Sequence, residues 1–263
     1  MKDTSYKNYL LTVLLFVLIF NYVDRQILSL LLQDIKVDLD LSDTQLGILT
    51  GIAFAFFYSV MGIPIARWAD RGNRITVITV TTALWSVMVA LCGFVGNFTQ
   101  LLLVRIGVAV GEAGCIPPAH SLIADYFLRE ERPRAMAIYG LGGSLTTLIG
   151  LLLGGWLGAE YGWRLTFIML GVPGVLLALI VRLTLREPRV QKEMGITQLN
   201  SPCNTPPLRE VFAVLWSNHT FRHLTMAFAV NSFFAQGKGQ WFPAFFIRSH
   251  QMEVAELGAW LAL

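Results

Sequence analysis

The chain has 263 residues, of which 55% are hydrophobic and only 14% are charged. Soluble domains carry about 25% charged residues, so this composition indicates a membrane protein. The formal net charge of +3 is too small to indicate nucleic-acid binding. The histidines, cysteines and acids form no group with metal-ligand spacing, and no nucleophile lies beside a base. We therefore expect neither an enzyme nor a metal or other cofactor.

Apolar segments of spanning length follow one another along the chain. A membrane-spanning helix needs roughly 20 apolar residues, and the segments that meet this length are 9–32, 46–66, 75–95, 100–124, 135–158, 165–185 and 221–247. An eighth span begins near Glu256, and the chain stops at Leu263, less than two turns later. We therefore expect a fragment, or the product of a truncated gene.

Span one carries two charged residues, Asp24 and Arg25, in an otherwise apolar segment. Span four likewise carries Arg105 and Glu112. A charge near the middle of a span costs about 2.5–3.5 kcal/mol on insertion scales, so such charges are rarely retained without a function. Two charged spans in one chain predict a polar path through the membrane.

The depths of these charges in the bilayer predict which of them meet. Arg105 and Glu112 share one helix face, because seven residues make two turns and a rise of about 10 Å. Span one runs outward and span four inward, which places Asp24 level with Arg105 and Glu112 near the midplane. We interpret Arg105 as a switch shared by two proton-carrying carboxylates. The alternative is a static ion pair that orients two helices, and Arg25 is expected to face another helix or to snorkel.

Two further polar residues belong to the same two spans. Asn21 lies one turn from Asp24 and is a candidate for lining a central cavity. His120 follows Pro117 and Pro118, which interrupt span four, so its ring is placed to bond a freed carbonyl or a substrate. A role in substrate binding and a purely structural role both stay open for His120.

Span seven is predicted to be a broken, polar helix. Lys238 lies between Gly237 and Gly239, and Asn231 precedes them by two turns. A lysine facing lipid is costly, so we expect Lys238 to face the cavity or a carboxylate. The candidate cavity-lining residues are Asn21, Arg25, His120, Asn231 and Lys238.

Lys and Arg positions predict the orientation, because cytoplasmic loops carry an excess of both. With the N-terminus inside, the outer side holds only Lys36, Arg164 and Arg248. We therefore predict a cytoplasmic N-terminus in the plasma (inner) membrane. The inner side then holds Lys2, Lys7, Arg67, Arg71, Arg74, Arg129, Arg132, Arg134, Arg182, Arg186, Arg189, Lys192, Arg209 and Arg222.

The one long connection runs from Glu187 to Leu208 and is rich in Pro, Asn, Thr and Ser, which is typical of a mobile linker. We therefore predict an N-terminal six-helix bundle at 1–187. A cytoplasmic linker follows at 188–219, and the start of a C-terminal bundle occupies 220–263.

An internal repeat supports this organisation. Residues 69–74 (ADRGNR) and 159–164 (AEYGWR) both read Ala-acid-x-Gly-x-Arg, 90 residues apart. The same shift places span one on span four and span three on span six. Three spans per repeat is an odd number, so the two copies have opposite orientations. Inverted three-helix repeats are typical of secondary transporters, whose substrate site lies near the midplane.

The loop Ala66 to Arg74 (ARWADRGNR) resembles a signature between spans two and three of the major facilitator superfamily, Gly-x-x-x-Asp-Arg-x-Gly-Arg-Arg. Ala66, Asn73 and Ile75 depart from this pattern, and Asn73 is a mild change because Asn tolerates a left-handed turn. The alternative is an ordinary solvated basic loop. The residues that match the signature are Asp70, Arg71 and Arg74.

This resemblance implies a conformational role for the loop. Arg74 would pair with Asp125 at the inner end of span four. Asp70 would meet a helix N-terminus of the other half of a twelve-span fold, and Arg71 belongs to the same gate. The loop would thereby hold the two halves together in the outward-facing state.

The run Gly150 to Gly155 in span five resembles an antiporter signature of the same superfamily, although Leu151 stands where Pro is usual. Close helix packing explains these glycines without a transport role, and we favour that interpretation. Gly162-Trp163-Arg164 and Phe167 resemble the start of span six in the superfamily.

The chain is most similar to the spinster-like subfamily, through 21–25 (NYVDR), Arg105, 111–113 (GEA), Pro117-Pro118 and 124–127 (ADYF). The resemblance implies an all-α membrane protein with the major facilitator fold. It would comprise an N-terminal bundle of two inverted three-helix repeats, span seven and the start of span eight, out of twelve spans.

The implied function is a proton-coupled secondary transporter, with Asp24 and Glu112 as protonation sites and Arg105 as their switch. The implied substrates are lysophospholipids or sphingoid phosphates. A small soluble organic anion is an alternative, as is a truncated non-transporting remnant or receptor. The expected partners are membrane lipids, the substrate and protons, with no nucleic acid, and we expect a monomer when the protein is full length.

Overall fold

The structure is a computed structural model, and it describes residues 4–188 and 208–262. Within these ranges the chain is helical and contains no β-strand. A π-turn, Ile48–Ile52, lies within span two between two α-helical pieces. The α-helices are Thr4–Leu30, Leu32–Asp38, Asp43–Gly47, Ala53–Arg71, Arg74–Cys92, Phe98–Glu112, Ile116–Tyr126, Arg132–Thr184, Leu208–Ser217, His219–His250 and Val254–Ala262.

Among the described residues, five helical segments are long and apolar enough to cross a membrane. They are Ser5–Leu30, Asp43–Arg71, Arg74–Cys92, Phe98–Tyr126 and Arg132–Thr184. The last has 53 residues and contains predicted spans five and six. The protein is therefore an all-α, multi-pass integral membrane protein. The helix His219–His250, predicted as span seven, is less apolar than these five segments.

Spans five and six meet at Gly162, whose φ of 73° lies in the left-handed region. Glycine adopts this conformation without the steric cost that a Cβ would add. The sequence repeat predicts this turn, because Gly162 corresponds to Gly72, which ends span two. The chain thus turns at the equivalent glycine in both repeats.

The inverted repeat is visible in two reciprocal ion pairs. Arg74 starts span three and pairs with Asp125 at the end of span four, with 2.8 Å between nitrogen and oxygen. Arg164 starts span six and pairs at 2.7 Å with Asp38, in the short helix after span one. Each arginine therefore binds an acid that follows the first span of the other repeat, which two copies of opposite orientation require.

Span five packs on span one through small residues, as the sequence predicts. A Cβ on Gly150 would lie 2.9 Å from Gln26 Cβ, and a Cβ on Gly154 would lie 2.7 Å from Ile27 Cγ1. Gly155 faces the opposite way and is in close contact with Gly258 of the helix Val254–Ala262, where the eighth span is predicted. The glycines let span five approach two neighbours, and this packing accounts for them.

The predicted linker at 188–219 contains a helix, Leu208–Ser217, because its apolar residues recur with helical spacing. One sequence prediction is wrong. Span seven was predicted to break near Lys238, yet the helix His219–His250 continues through it. A glycine costs only about 1 kcal/mol in a helix, too little to interrupt one of this length. Residues 189–207, with Arg189 and Lys192, lie outside the described residues, as does Lys2.

Candidate functional site

Asp24 and Arg105 meet in the interior of the helix bundle. Arg105 Nη1 donates a hydrogen bond to Asp24 Oδ2 at 2.8 Å, and the side chains are only 3% and 2% exposed respectively. Span one presents Asp24 inward and span four presents Arg105 toward it, at the level that the helical rise predicts. The structure therefore brings together the first pair that the sequence predicts.

Glu112 pairs with Arg25 instead of Arg105, which corrects the sequence analysis. Arg25 Nε donates to Glu112 Oε2 at 2.6 Å, and a terminal nitrogen of the same guanidinium binds the same oxygen. Arg25 is predicted to face another helix or to snorkel, and it does face another helix. Its long side chain reaches the Glu112 carboxylate of span four, which has no exposed surface. The site consists of two ion pairs and not of one shared arginine.

Three aromatic rings surround the Arg25 guanidinium and form what we call the aromatic cage, Tyr22, Phe54 and Tyr58. The distances from Arg25 Cζ to the ring centroids are 4.8, 4.5 and 5.0 Å respectively. Aromatic faces attract cations, more strongly where water is excluded. The cage therefore helps to hold a charge that would otherwise be costly inside a membrane.

Several polar atoms at the site have no hydrogen-bond partner among the described residues. They include both amide atoms of Asn21, which is fully buried, together with Asp24 Oδ1, Glu112 Oε1 and Arg105 Nε. Buried polar groups are usually satisfied, because leaving one unpaired costs free energy. The carboxylate oxygens Asp24 Oδ1 and Glu112 Oε1 are therefore suited to accept a proton, or a hydrogen bond from a water molecule or a polar ligand.

The loop between spans two and three forms a second cluster. Arg74 is almost fully buried and donates to Ser121 Oγ at 2.7 Å, in addition to its pair with Asp125. Its guanidinium and its backbone N–H also bind Glu187, at 2.5 and 2.7 Å. The residue just before the predicted linker is thus anchored on the loop between spans two and three.

Asp70 and Arg71 lie beside this cluster and are exposed. They line a cavity of about 630 Å³ that also borders Tyr58 of the aromatic cage, Ala113 next to Glu112, and Val211 of the helix Leu208–Ser217. The cavity therefore extends from the loop between spans two and three toward the buried charges.

The remaining candidates do not join the buried charges. His120 is exposed and packs edge-on against Tyr139, with centroids 5.4 Å apart. Asn231 is exposed on span seven. Lys238 is exposed too, and its ammonium lies 5.4 Å from the Phe242 centroid. Lys238 is predicted to face the cavity or a carboxylate. Within the described ranges no carboxylate pairs with it, and a place at the cavity stays a prediction.

Comparison with known proteins identifies the family. The model of the Major Facilitator Superfamily matches residues 14–263.

The chain belongs to the Major Facilitator Superfamily.

Within this superfamily the chain is spinster-like. It is 36% identical to the crystal structure of a bacterial homologue of the human lysosomal transporter Spinster, in its inward-facing, unoccupied conformation. The superposition has a TM-score of 0.84 and covers 98% of this chain and 59% of that one. Protein spinster of Drosophila melanogaster is 25% identical over 246 residues, which are 92% of this chain and 39% of that protein.

Other relatives are named as transporters and not as enzymes. An MFS-type efflux pump of Mycolicibacterium smegmatis is 36% identical over 242 residues, covering 90% of this chain and 54% of the pump. A probable L-galactonate transporter of Escherichia coli is 27% identical over 260 residues, covering 95% and 56% respectively. The chain thus spans about half the length of these curated relatives.

Sequence reasoning missed Glu187 and the aromatic cage. Glu187 is an acid just after span six. The family resemblance that implied Asp125 as a partner of Arg74 gave no indication of it. Phe54 and Tyr58 are four residues apart, a spacing that places both on one helix face. That signal is weak, because aromatic residues with this spacing occur on many spans of a membrane protein.

Proposed function

We propose that the protein is a proton-coupled secondary transporter that moves an organic anion by alternating access. The observation that carries this proposal is the buried pair of carboxylates. Asp24 and Glu112 each bind an arginine through one oxygen, and the other oxygen has no partner among the described residues. A carboxylate in this arrangement is able to accept a proton without first losing its arginine.

Charge balance links the proton to the anion. Arg25 and Arg105 carry two positive charges, and Asp24 and Glu112 carry two negative ones. When a proton binds to either carboxylate, the cluster gains a net positive charge in an environment where charge is costly. A substrate carboxylate or phosphate restores neutrality by binding the released guanidinium, for which both groups are good bidentate partners. Proton and anion therefore move together.

The substrate class follows from this cationic site and from the relatives. One relative is named for L-galactonate and another, from Acinetobacter baylyi, for cis,cis-muconate, and both compounds are organic acids. We propose a soluble organic acid as substrate. A lysophospholipid or sphingoid phosphate, which the spinster-like resemblance implies, is the second candidate.

Alternating access would use contacts on both sides of the site. Arg248 at the end of span seven binds Asp43 at 2.7 Å and Gln33 at 2.8 Å on the predicted outer side. On the inner side, the cavity reaches Asp70 and Arg71. This arrangement is typical of an inward-open state. In the outward-open state, we propose that the gate of Asp70, Arg71, Arg74 and Asp125 closes this cavity.

We propose further that the N-terminus is cytoplasmic in the plasma membrane and that the whole protein is a monomer. The division into a bundle at 1–187, a linker at 188–219 and a second bundle from 220 is part of the same proposal. A connection between two bundles that carries its own helix fits the rocking of one bundle against the other.

Uptake into proteoliposomes tests the function. The whole gene product would be reconstituted, and accumulation of radiolabelled L-galactonate or a lysophospholipid would be measured with and without an imposed pH gradient. We expect gradient-driven uptake of one of them, and its loss in Asp24→Asn and in Glu112→Gln.

The matched control is Glu130→Gln, which changes an exposed acid outside the spans. Normal coupling in both buried variants would show that these carboxylates do not carry the proton. Binding of a ligand without any flux would instead support a receptor on the same scaffold.

A further inference from the structure

The Phe54 ring borders both arginines of the site. Its centroid lies 4.5 Å from Arg25 Cζ and 5.2 Å from Arg105 Cζ, and the residue is buried. These arginines pair with different carboxylates, Glu112 and Asp24. A single ring thus interacts with the two cations whose partners decide where a proton binds.

We propose that Phe54 is a positioning residue for proton coupling, which keeps Arg25 on Glu112 and Arg105 on Asp24 until a carboxylate is protonated. This inference rests on the proposed proton-coupled function. The attraction between each guanidinium and the ring restricts both arginine side chains. Without the ring, either arginine is free to approach the other carboxylate. The protonation of Asp24 and Glu112 then changes.

The local fold explains how Phe54 reaches this position. The π-turn Ile48–Ile52 ends two residues before it. A π-turn contains one extra residue, which rotates the following helix by about 100° relative to a regular α-helix. Tyr58, one turn later, faces Arg25 and stacks on Phe54 with an interplanar angle of 21°. The turn therefore determines that two aromatic residues of span two face the ion pairs.

The titratable and charged groups that interact with the two ion pairs, or with one another beside them, come from five spans. Electrostatic interactions link them to one another or to the two ion pairs, so any change in proton binding is a property of the group as a whole. They are Tyr22, Asp24 and Arg25 on span one, Tyr58 on span two, Cys92 on span three, Arg105, Glu112 and Cys115 on span four, and Tyr139 on span five.

Infrared difference spectroscopy of the purified whole protein tests the inference without a substrate. Spectra at acid and neutral pH would be compared across a titration. A protonated carboxyl group gives a C=O band, which should be missing or altered in Glu112→Gln. We expect Phe54→Leu to shift the midpoint of this band by about one pH unit, the size of a partly buried cation–π contact.

Two variants separate the role of the ring from a general effect on packing. Phe54→Tyr keeps the aromatic face and should retain the wild-type midpoint. Phe56→Leu changes an aromatic residue on the same helix that is 59% exposed, and it should have no effect. Thermal unfolding would establish that each variant is folded.

The outcomes distinguish the inference from the function on which it rests. If the wild-type protein shows the band and folded Phe54→Leu shows it with the same midpoint, the role of Phe54 is overturned. The proton-coupled function would be unaffected by this result. An equal shift in Phe54→Tyr or in Phe56→Leu would also overturn it, because the aromatic face would not be the cause. Absence of any titrating carboxyl band in the wild-type protein would overturn the proton-coupled function, and the inference with it.

Discussion

Arg25 binds a single carboxylate oxygen of Glu112, Oε2, through two of its guanidinium nitrogens, and Oε1 has no partner among the described residues. Asp24, its neighbour in sequence, binds Arg105, two turns away from Glu112 on span four. Adjacent residues on span one thus contact residues about 10 Å apart in height. The long arginine side chains make this possible, and they place two neutral ion pairs side by side in the bundle.

The pairing of Arg25 with Glu112 predicts a specific pattern of stability. Arg25→Gln leaves a buried carboxylate without its counter-charge, and breaking a buried pair in this way costs about 3–5 kcal/mol. The double variant Arg25→Gln/Glu112→Gln removes both charges and should recover most of that loss. Thermal unfolding of the purified variants measures this coupling. Strictly additive effects of the two substitutions would contradict the pairing.

Substitution of glycine by alanine should have opposite effects on stability at Gly171 and at Gly143. A Cβ on Gly171 would lie 2.5 Å from the backbone oxygen of Ser86 and from the backbone nitrogen of Ala90. Backbone atoms cannot move aside easily, so Gly171→Ala should destabilise the protein by about 1–3 kcal/mol.

Gly143 is the matched control on span five, because nothing lies within 4 Å of its Cβ position. Gly143→Ala should be neutral or stabilise by about 0.5–1 kcal/mol, since alanine is the better helix former. The comparison requires the unfolding midpoints of both variants in the same detergent. Equal destabilisation by both would show that spans three and six are not closely packed at Gly171.

The Glu131 carboxyl should make a pH-dependent contribution to the stability of the fold at the protein surface. Hydrogen bonds from Lys7 Nζ at 2.7 Å and from the Leu128 N–H at 3.0 Å hold the pKa of the Glu131 carboxyl below its usual value of 4.5. Because the pKa is lower in the folded protein than in the unfolded one, the ionised Glu131 carboxyl stabilises the fold fully above about pH 4.5. This stabilisation is lost as the pH falls through the folded-state pKa. Glu131→Gln should therefore lower the unfolding midpoint slightly at about pH 7 and have no effect at pH values below the folded pKa.

Glu130→Gln serves as the control, because Glu130 is an exposed acid next in sequence. A difference between wild type and Glu131→Gln that persists unchanged in strong acid would show that the carboxylate charge is not its origin. The effect should be small, since the pair is at the surface and is screened by salt.

The contact between Arg248 and Asp43 predicts an effect on the conformational equilibrium. It joins span seven to the start of span two on the predicted outer side, with 2.7 Å between nitrogen and oxygen. Arg248→Glu should increase the equilibrium constant for opening of that side by about two- to fivefold. This range corresponds to the free energy of an exposed ion pair. Labelling of a cysteine introduced at the outer end of span seven measures the opening.

Charge exchange provides the control for this contact. Asp43→Arg combined with Arg248→Glu should return labelling toward the wild-type rate, because the attraction is restored with the partners reversed. Lys36, which also binds Asp43 at 2.8 Å, would then lie beside a like charge, so the recovery should be incomplete. Labelling in the double variant that exceeds Arg248→Glu alone would contradict the ion pair.

The family resemblance implied the pair Arg74–Asp125. The amino-acid sequence alone was enough to predict spans one to six, the inverted repeat and the pair Asp24–Arg105. These features depend on local properties, because apolar length, helical rise and the 90-residue repeat are all read along the chain. The turn at Gly162 belongs to the same group, since a repeated Gly-x-Arg marks the end of a span in both copies.

Other features were decided by contacts between distant segments. The pairing of Arg25 with Glu112, the ring of Phe54 beside both arginines and the binding of Glu187 to Arg74 each depend on how spans rotate about their own axes. That rotation is set by the packing of glycines and by the π-turn in span two, which shift the facing residues by as much as 100°. Periodicity along one helix carries no information about such rotations, because the partner surface that selects them lies elsewhere in the chain.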